Sequence, residues 1–218
     1  MATSTQKLCS QICWTFLIIC SLSGISNSST DEYGMEYDFV TCGSVIKLKN
    51  TRYNIRLHSH DVKYGSGSGQ QSVTGMDNAG DGNSYWQIKG KEDKPCTRGT
   101  PIKCGQTIRL MHSNTRRNLH SHFFAAPLTT RHQEVSAFGD SGQGDEGDHW
   151  AVTCSSTHWR RDEPVRFKHV PTEVYLGATD QVYGRPIRGQ REIAGIDSPS
   201  SNTHWKVMEG VYIKPNES

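Results

Sequence analysis

Apolar residues are scarce in this chain, 33% of 218 positions, and so is net charge, which comes to +2. The weak charge gives no field able to collect nucleic acid or an anionic membrane. Long hydrophobic runs are missing too. The one apolar stretch, Leu8 to Leu22, is broken by Ser10, Gln11 and Thr15 and falls short of the ~20 apolar residues that span a bilayer. With Lys7 ahead of it and the small residues Ser23, Gly24, Ser26 and Ser28 behind it, it reads as a signal peptide within residues 1–29, leaving a soluble remainder in the secretory pathway. The glycine-rich run Gly65-Ser66-Gly67-Ser68-Gly69 lacks the Gly-Lys-Ser/Thr ending of a P-loop and is expected to be a flexible hairpin tip. Asp140, Asp145, Glu146 and Asp148 lack the order of an EF-hand loop and are expected in a solvated turn. No Ser-His-Asp or Cys-His arrangement can be inferred, so no enzyme, no cofactor and no metal are expected.

What is abundant is glycine, 21 residues, spaced between short apolar bursts as in an all-β protein rich in turns. A threefold repeat organises these bursts. Cys42-Gly43-Ser44-Val45-Ile46-Lys47-Leu48 recurs as Cys104-Gly105-Gln106-Thr107-Ile108-Arg109-Leu110 and, more faintly, as Asp162-Glu163-Pro164-Val165-Arg166-Phe167-Lys168. Alternation turns Ile46, Leu48, Ile108, Leu110, Val165 and Phe167 to one buried face. A second strand recurs with Leu57, Leu119 and Leu176 in register, and a third at Gln70 to Val73, His132 to Val135 and Gln190 to Ile193. A fourth carries Trp-x-Ile/Val: Trp86 and Ile88, Trp150 and Val152, Trp205 and Val207. These tryptophans stand 64 and 55 positions apart, room for four short strands per unit. Three such units predict a β-trefoil with pseudo-threefold symmetry, a six-stranded barrel capped by three hairpins. Residues 40–212 are expected to form it, with repeats at about 40–92, 100–155 and 160–210, a flexible segment at 30–39 before it and a tail at 213–218 after it.

Beyond the signal segment, which contains Cys9, Cys13 and Cys20, four cysteines remain, Cys42, Cys96, Cys104 and Cys154, an even number suited to disulfides in an oxidising compartment. Repeat symmetry favours Cys42 with Cys96 and Cys104 with Cys154, each closing a loop of about 50 residues worth ~4 kcal/mol of chain entropy. Pairing of Cys96 with Cys104 stays open as the alternative. His58 and His60, and likewise His120 and His122, lie two apart on a strand and share a face. Without further converging ligands the pairs read as polar groups on an outward face, securing hairpins or meeting a partner, rather than as a zinc site. Asp61 and Tyr64 beside the glycine-rich tip join them as candidate contact residues, since loops on a rigid scaffold often carry function.

The motifs Leu57-His58-Ser59-His60, Tyr64 through Gly75, Asn83-Ser84-Tyr85-Trp86 and Arg98 through Gly105 resemble those of the stromal cell-derived factor 2 family, built from three MIR units. The resemblance covers about residues 40 to 212. It implies a non-enzymatic subunit of the endoplasmic reticulum lumen that binds a J-domain co-chaperone and through it BiP, and helps handle misfolded clients. Because O-mannosyltransferases share the module, a lectin-like trefoil that binds glycans is the alternative, although the Gln-x-Trp signature of ricin-type lectins is missing. Some relatives end in an HDEL-like tetrapeptide, whereas this sequence ends Lys214-Pro215-Asn216-Glu217-Ser218, so a secreted factor is a further alternative. The signal-peptide reading predicts that protein recovered from the secretory pathway of a eukaryotic host has lost its first ~29 residues. An intact mass that retains them would contradict it.

Overall fold

A computed structural model describes residues 38–216. The proposed signal segment therefore lies outside the described residues. Twelve antiparallel strands alternate with tight turns. The first repeat supplies β1 (Val45–Asn50), β2 (Ile55–Lys63), β3 (Gln71–Met76) and β4 (Trp86–Lys89). The second supplies β5 (Thr107–His112), β6 (Asn118–Ala125), β7 (Gln133–Phe138) and β8 (Trp150–Thr153). The third supplies β9 (Arg166–His169), β10 (Tyr175–Val182), β11 (Arg191–Ile196) and β12 (Trp205–Val211). A short 3₁₀ turn precedes the last strand of each repeat, at Gly82–Ser84, Glu146–Asp148 and Ser201–Thr203.

The all-β class holds, but the expected β-trefoil does not: the strands form a closed β-barrel. Pairing runs β10-β9-β8-β5-β4-β1-β2-β3-β7-β11 and returns to β10, a ring of ten strands. β6 joins it at β5 and β7, and β12 at β1. A trefoil had been expected to set three hairpins apart as a cap. Here β3, β7 and β11 hydrogen-bond to one another, and β2, β6 and β10 continue from β1, β5 and β9. The hairpins are thereby stitched into the wall, because their backbone groups are buried and must find partners. Periodicity within one repeat carries no record of those contacts between repeats.

The core is as the alternation requires. Ile46, Leu48, Ile108, Leu110, Val165 and Phe167 are buried, with Leu57, Leu119 and Leu176 and all three Trp-x-Ile/Val pairs beside them. The indoles of the three repeated Trp-x-Ile/Val strands solve their polar problem in the same way. Trp86 Nε1 donates to the Leu57 carbonyl at 2.8 Å, Trp150 to Leu119 at 2.9 Å and Trp205 to Leu176 at 2.9 Å, so none of these three is left unpaired in apolar surroundings, whereas the buried indole N–H of Trp159, outside the repeated pattern, has no partner among the described residues. Opposite each tryptophan on the neighbouring strand stands a polar residue, His112, His169 or Asn50. Its side chain donates to the 3₁₀ turn: His112 Nε2 to the Asn83 carbonyl at 3.0 Å, His169 Nε2 to Gly147 at 2.8 Å, and Asn50 Nδ2 to Asn202 at 2.7 Å. Disulfides Cys42–Cys96 and Cys104–Cys154 brace the first two repeats. The third repeat has no disulfide and is held by its packing and hydrogen bonds.

Burial pushes His112 and His169 down to about 4, against the opposing pull of the carbonyls they bond. Both stay neutral in the folded protein above that pH, whereas the unfolded chain takes up their protons below about 6.5. Stability is therefore fully present above pH 6.5 and is lost as pH falls toward 4, by at most about 1.4 kcal/mol per pH unit for each histidine. Urea midpoints should fall across this window. Replacement of both by asparagine, the residue the first repeat uses at this position, should flatten the dependence. An unchanged slope in the double variant would contradict the assignment.

Candidate functional site

The two His-x-His pairs sit where β2 and β6 leave the wall. Within each pair the rings meet edge to face, with centroids 4.9 Å apart for His58 and His60 and 5.1 Å for His120 and His122. The expectation of an outward face is corrected for the inner member of each pair. His58 and His120 are buried, because the 3₁₀ turn folds down over them. His58 Nδ1 donates to Asp81 at 2.7 Å, and its Nε2 accepts a hydrogen bond from His60 Nδ1 at 2.9 Å. Burial and the neighbouring His58 hold His60 below the usual histidine range. His120 Nδ1 donates to Asp148 at 3.0 Å. The turn lies so close that a Cβ on Gly147 would come 2.2 Å from the His120 ring, so only glycine fits there. Asp148 is buried beneath His120, which corrects the solvated turn expected for it, while Asp145 caps the turn by accepting from the Gly147 amide at 2.8 Å.

Tyr64 also faces inward. Its hydroxyl lies 2.9 Å from the Val73 carbonyl and 3.0 Å from that of Val135, joining two repeats, and its ring packs with Tyr183 and Ile187. Burial pushes its hydroxyl well above the usual tyrosine range. Asp61 is exposed, 3.4 Å from Arg117. The glycine-rich tip is tethered rather than free. Ser68 donates its amide to Glu134 Oε2 at 3.2 Å and its hydroxyl to Oε1, and a Cβ on Gly67 would sit 2.0 Å from that carboxylate. His122 Nε2 donates to the same carboxylate at 3.0 Å. Burial alone would push the Glu134 carboxyl up, but the bonds from His122 and Ser68 outweigh it and hold it below the usual range.

Sequence reasoning missed Glu134 and its counterpart Glu192. Both lie on the third strand of their repeats, both are fully buried, and Glu192 accepts from the Leu128 amide at 2.7 Å and the Thr129 amide at 3.2 Å. The available signal was a carboxylate at one register position in two of the three copies, flanked by core residues.

These elements enclose a groove of about 500 Å³ between the second hairpin and its turn, lined by Gln70, His120, His122, Phe123, Glu146 and Pro171. Phe123 is 85% exposed and Phe124 50%, the latter leaning on the His122 ring at 4.8 Å. A second cleft of about 590 Å³ runs beside Cys96 and Cys104 between Lys91, Lys94 and Lys103. Among the described residues, His120, Asp145 and Asp148 bring three metal-ligating atoms together. All of them are already engaged: Asp148 accepts from His120 and, at 2.8 Å, from Asn118, and Asp145 from Gly147. The four cysteines are committed to disulfides. The arrangement therefore offers surface and shape rather than a free nucleophile.

Buried tryptophan ties, repeated hairpins and an exposed groove define a modular β protein. The model of the MIR domain matches residues 38–157. The chain is 62% identical to stromal cell-derived factor 2 of Homo sapiens over 178 residues, 82% of this chain and 84% of that one. Among solved structures, the SDF2-like protein from Arabidopsis thaliana superposes with a TM-score of 0.79 at 45% identity, covering 82% of this chain and 99% of that chain. The Saccharomyces cerevisiae protein O-mannosyltransferase Pmt1-Pmt2 complex bound to the sugar donor gives a TM-score of 0.70 at 26% identity, over 83% of this chain and 28% of that chain. The chain belongs to the stromal cell-derived factor 2 family.

Removing the Glu134 carboxylate strands the Ser68 amide and the His122 ring. Glu134→Ala should lower unfolding free energy by about 2–4 kcal/mol and speed hydrogen exchange at the Ser68 amide before any change at Val73. Exchange at Ser68 that stays as slow as in the wild type would contradict the tether.

Proposed function

We propose that this protein is a non-enzymatic subunit of a chaperone complex in the endoplasmic reticulum lumen, binding a J-domain co-chaperone and through it BiP. Membership of the stromal cell-derived factor 2 family across 82% of the chain carries this reading. Two disulfides suit an oxidising compartment. The groove supports it chemically: its histidines and Asp148 are spent on holding the fold, which leaves exposed aromatic surface, the material of protein contacts. Affinity capture of the tagged chain from gently lysed lumenal extract should recover both the J-domain protein and BiP. Absence of both would overturn the proposal.

A second reading, binding of glycans, is favoured by the similarity to the Pmt1-Pmt2 structure bound to the sugar donor. A glycan array developed at high protein concentration separates the two, since the chaperone reading expects no saturable signal.

A further inference from the structure

The three repeats allow an internal comparison at the hairpin ends. Lys63 pairs with Gln71, Ala125 with Gln133 and Val182 with Arg191, so Asp61, Phe123 and Asp180 occupy one equivalent position two residues earlier. Twice the fold places a carboxylate there, as expected for a solvated position. In the second repeat it places a phenylalanine that is 85% exposed. No demand of the barrel accounts for it. An isolated exposed apolar residue needs no explanation, but this one stands in a group. Phe124 and Leu128 on the same hairpin end are also exposed, where the first repeat carries Val62 at the position of Phe124.

This apolar end is stiff. Phe124 rests on His122, His122 is bonded to the buried Glu134, and the Leu128 amide is held by the buried Glu192. A partner that covers these side chains loses little entropy to ordering them. Across the groove from Phe123 lie Asp145 and Glu146, both exposed. The first repeat has only glycine, Gly82, where the second has Glu146, and the third has Ser200 and Ser201 in place of the two acids. Ring and carboxylates thus come together on one repeat of the three.

We propose that this groove binds an extended polypeptide segment in which an apolar side chain neighbours a lysine or arginine. The apolar residue packs on Phe123, and the cation faces Asp145 and Glu146. This deepens the chaperone reading and rests on it, because unfolded clients expose such segments. A sugar is less suited than a cation: the buried Asp148 carboxylate is spent on His120 and Asn118, and the exposed carboxylates of Asp145 and Glu146 favour a positive charge.

The test is fluorescence anisotropy with the full-length purified protein and a fluorescein-labelled 12-residue peptide alternating Phe or Leu with Lys. Phe123→Asp, which installs the residue that the first and third repeats already tolerate, should bind at least tenfold more weakly with an unchanged urea midpoint. Glu146→Lys should weaken the same peptide, and a peptide with Glu in place of Lys should bind wild type at least tenfold more weakly. Equal affinities of wild type and Phe123→Asp would overturn the proposal, as would binding of an oligomannose glycan in place of either peptide. Capture of the J-domain protein and BiP is scored separately. If both are recovered while Phe123→Asp binds peptide normally, the groove fails and the complex stands. If peptide binds through Phe123 while neither is recovered, the complex fails and the groove stands.

Discussion

A buried indole N–H that reaches a leucine carbonyl on the strand leaving the wall recurs in every repeat of this protein, and the placement of everything else follows from it. An unpaired indole in the core would cost on the order of 1–3 kcal/mol, so the tryptophan strand and the hairpin strand must keep their relative height. The residue opposite the tryptophan then binds the 3₁₀ turn, and the turn covers the first histidine of the His-x-His pair. In the second repeat that chain of contacts runs from Trp150 through His169 and Gly147 to His120. The floor of the groove is thus set from within the core, several contacts away from solvent.

Where the repeats diverge is as informative as where they agree. Glu134 of the second repeat grips the hairpin tip of the first, and Glu192 of the third grips that of the second. The equivalent position in the first repeat is Ser72, whose buried hydroxyl has no hydrogen-bond partner. The third tip is held instead by packing of Tyr183 and Ile187 against Tyr64. Two hairpins are therefore fastened by charge-assisted hydrogen bonds, which are short and directional, and one by apolar contact together with the neutral bond that the Thr74 hydroxyl donates to Gln190. The second hairpin gains most, since its own His122 also leans on Glu134, and it is the hairpin that carries Phe123 and Phe124 into solvent.

Much of this was legible in the sequence. Period-two alternation placed Ile46, Leu48, Ile108 and Leu110 inside, and Trp-x-Ile/Val identified the fourth strand of each repeat, because both signals are local to one strand. Entry of the hairpins into a closed ten-stranded wall was not legible. It depends on β3, β7 and β11 pairing across repeats, and no spacing within a repeat encodes that. His58, His120 and Tyr64 read as surface groups by residue type, yet lie buried because a turn further along the chain folds over each histidine and the Tyr64 hydroxyl donates to carbonyls of two repeats. Glu134 was invisible for the complementary reason, since a carboxylate in a strand is ordinarily solvated and it takes His122 together with the Ser68 loop, 66 residues away, to make its burial sustainable. The exposed pair Phe123 and Phe124 lay in plain view within a strand pattern, and only the register of the three hairpins marks it as a departure.

The three tryptophan ties make the wall one cooperative unit on which the groove is mounted. Native-state hydrogen exchange of the indole N–H groups of Trp86, Trp150 and Trp205, followed by NMR at low denaturant, tests this most directly. All three should exchange only through global unfolding, with one common free energy. An indole that opens at a distinctly lower free energy than the other two would contradict it.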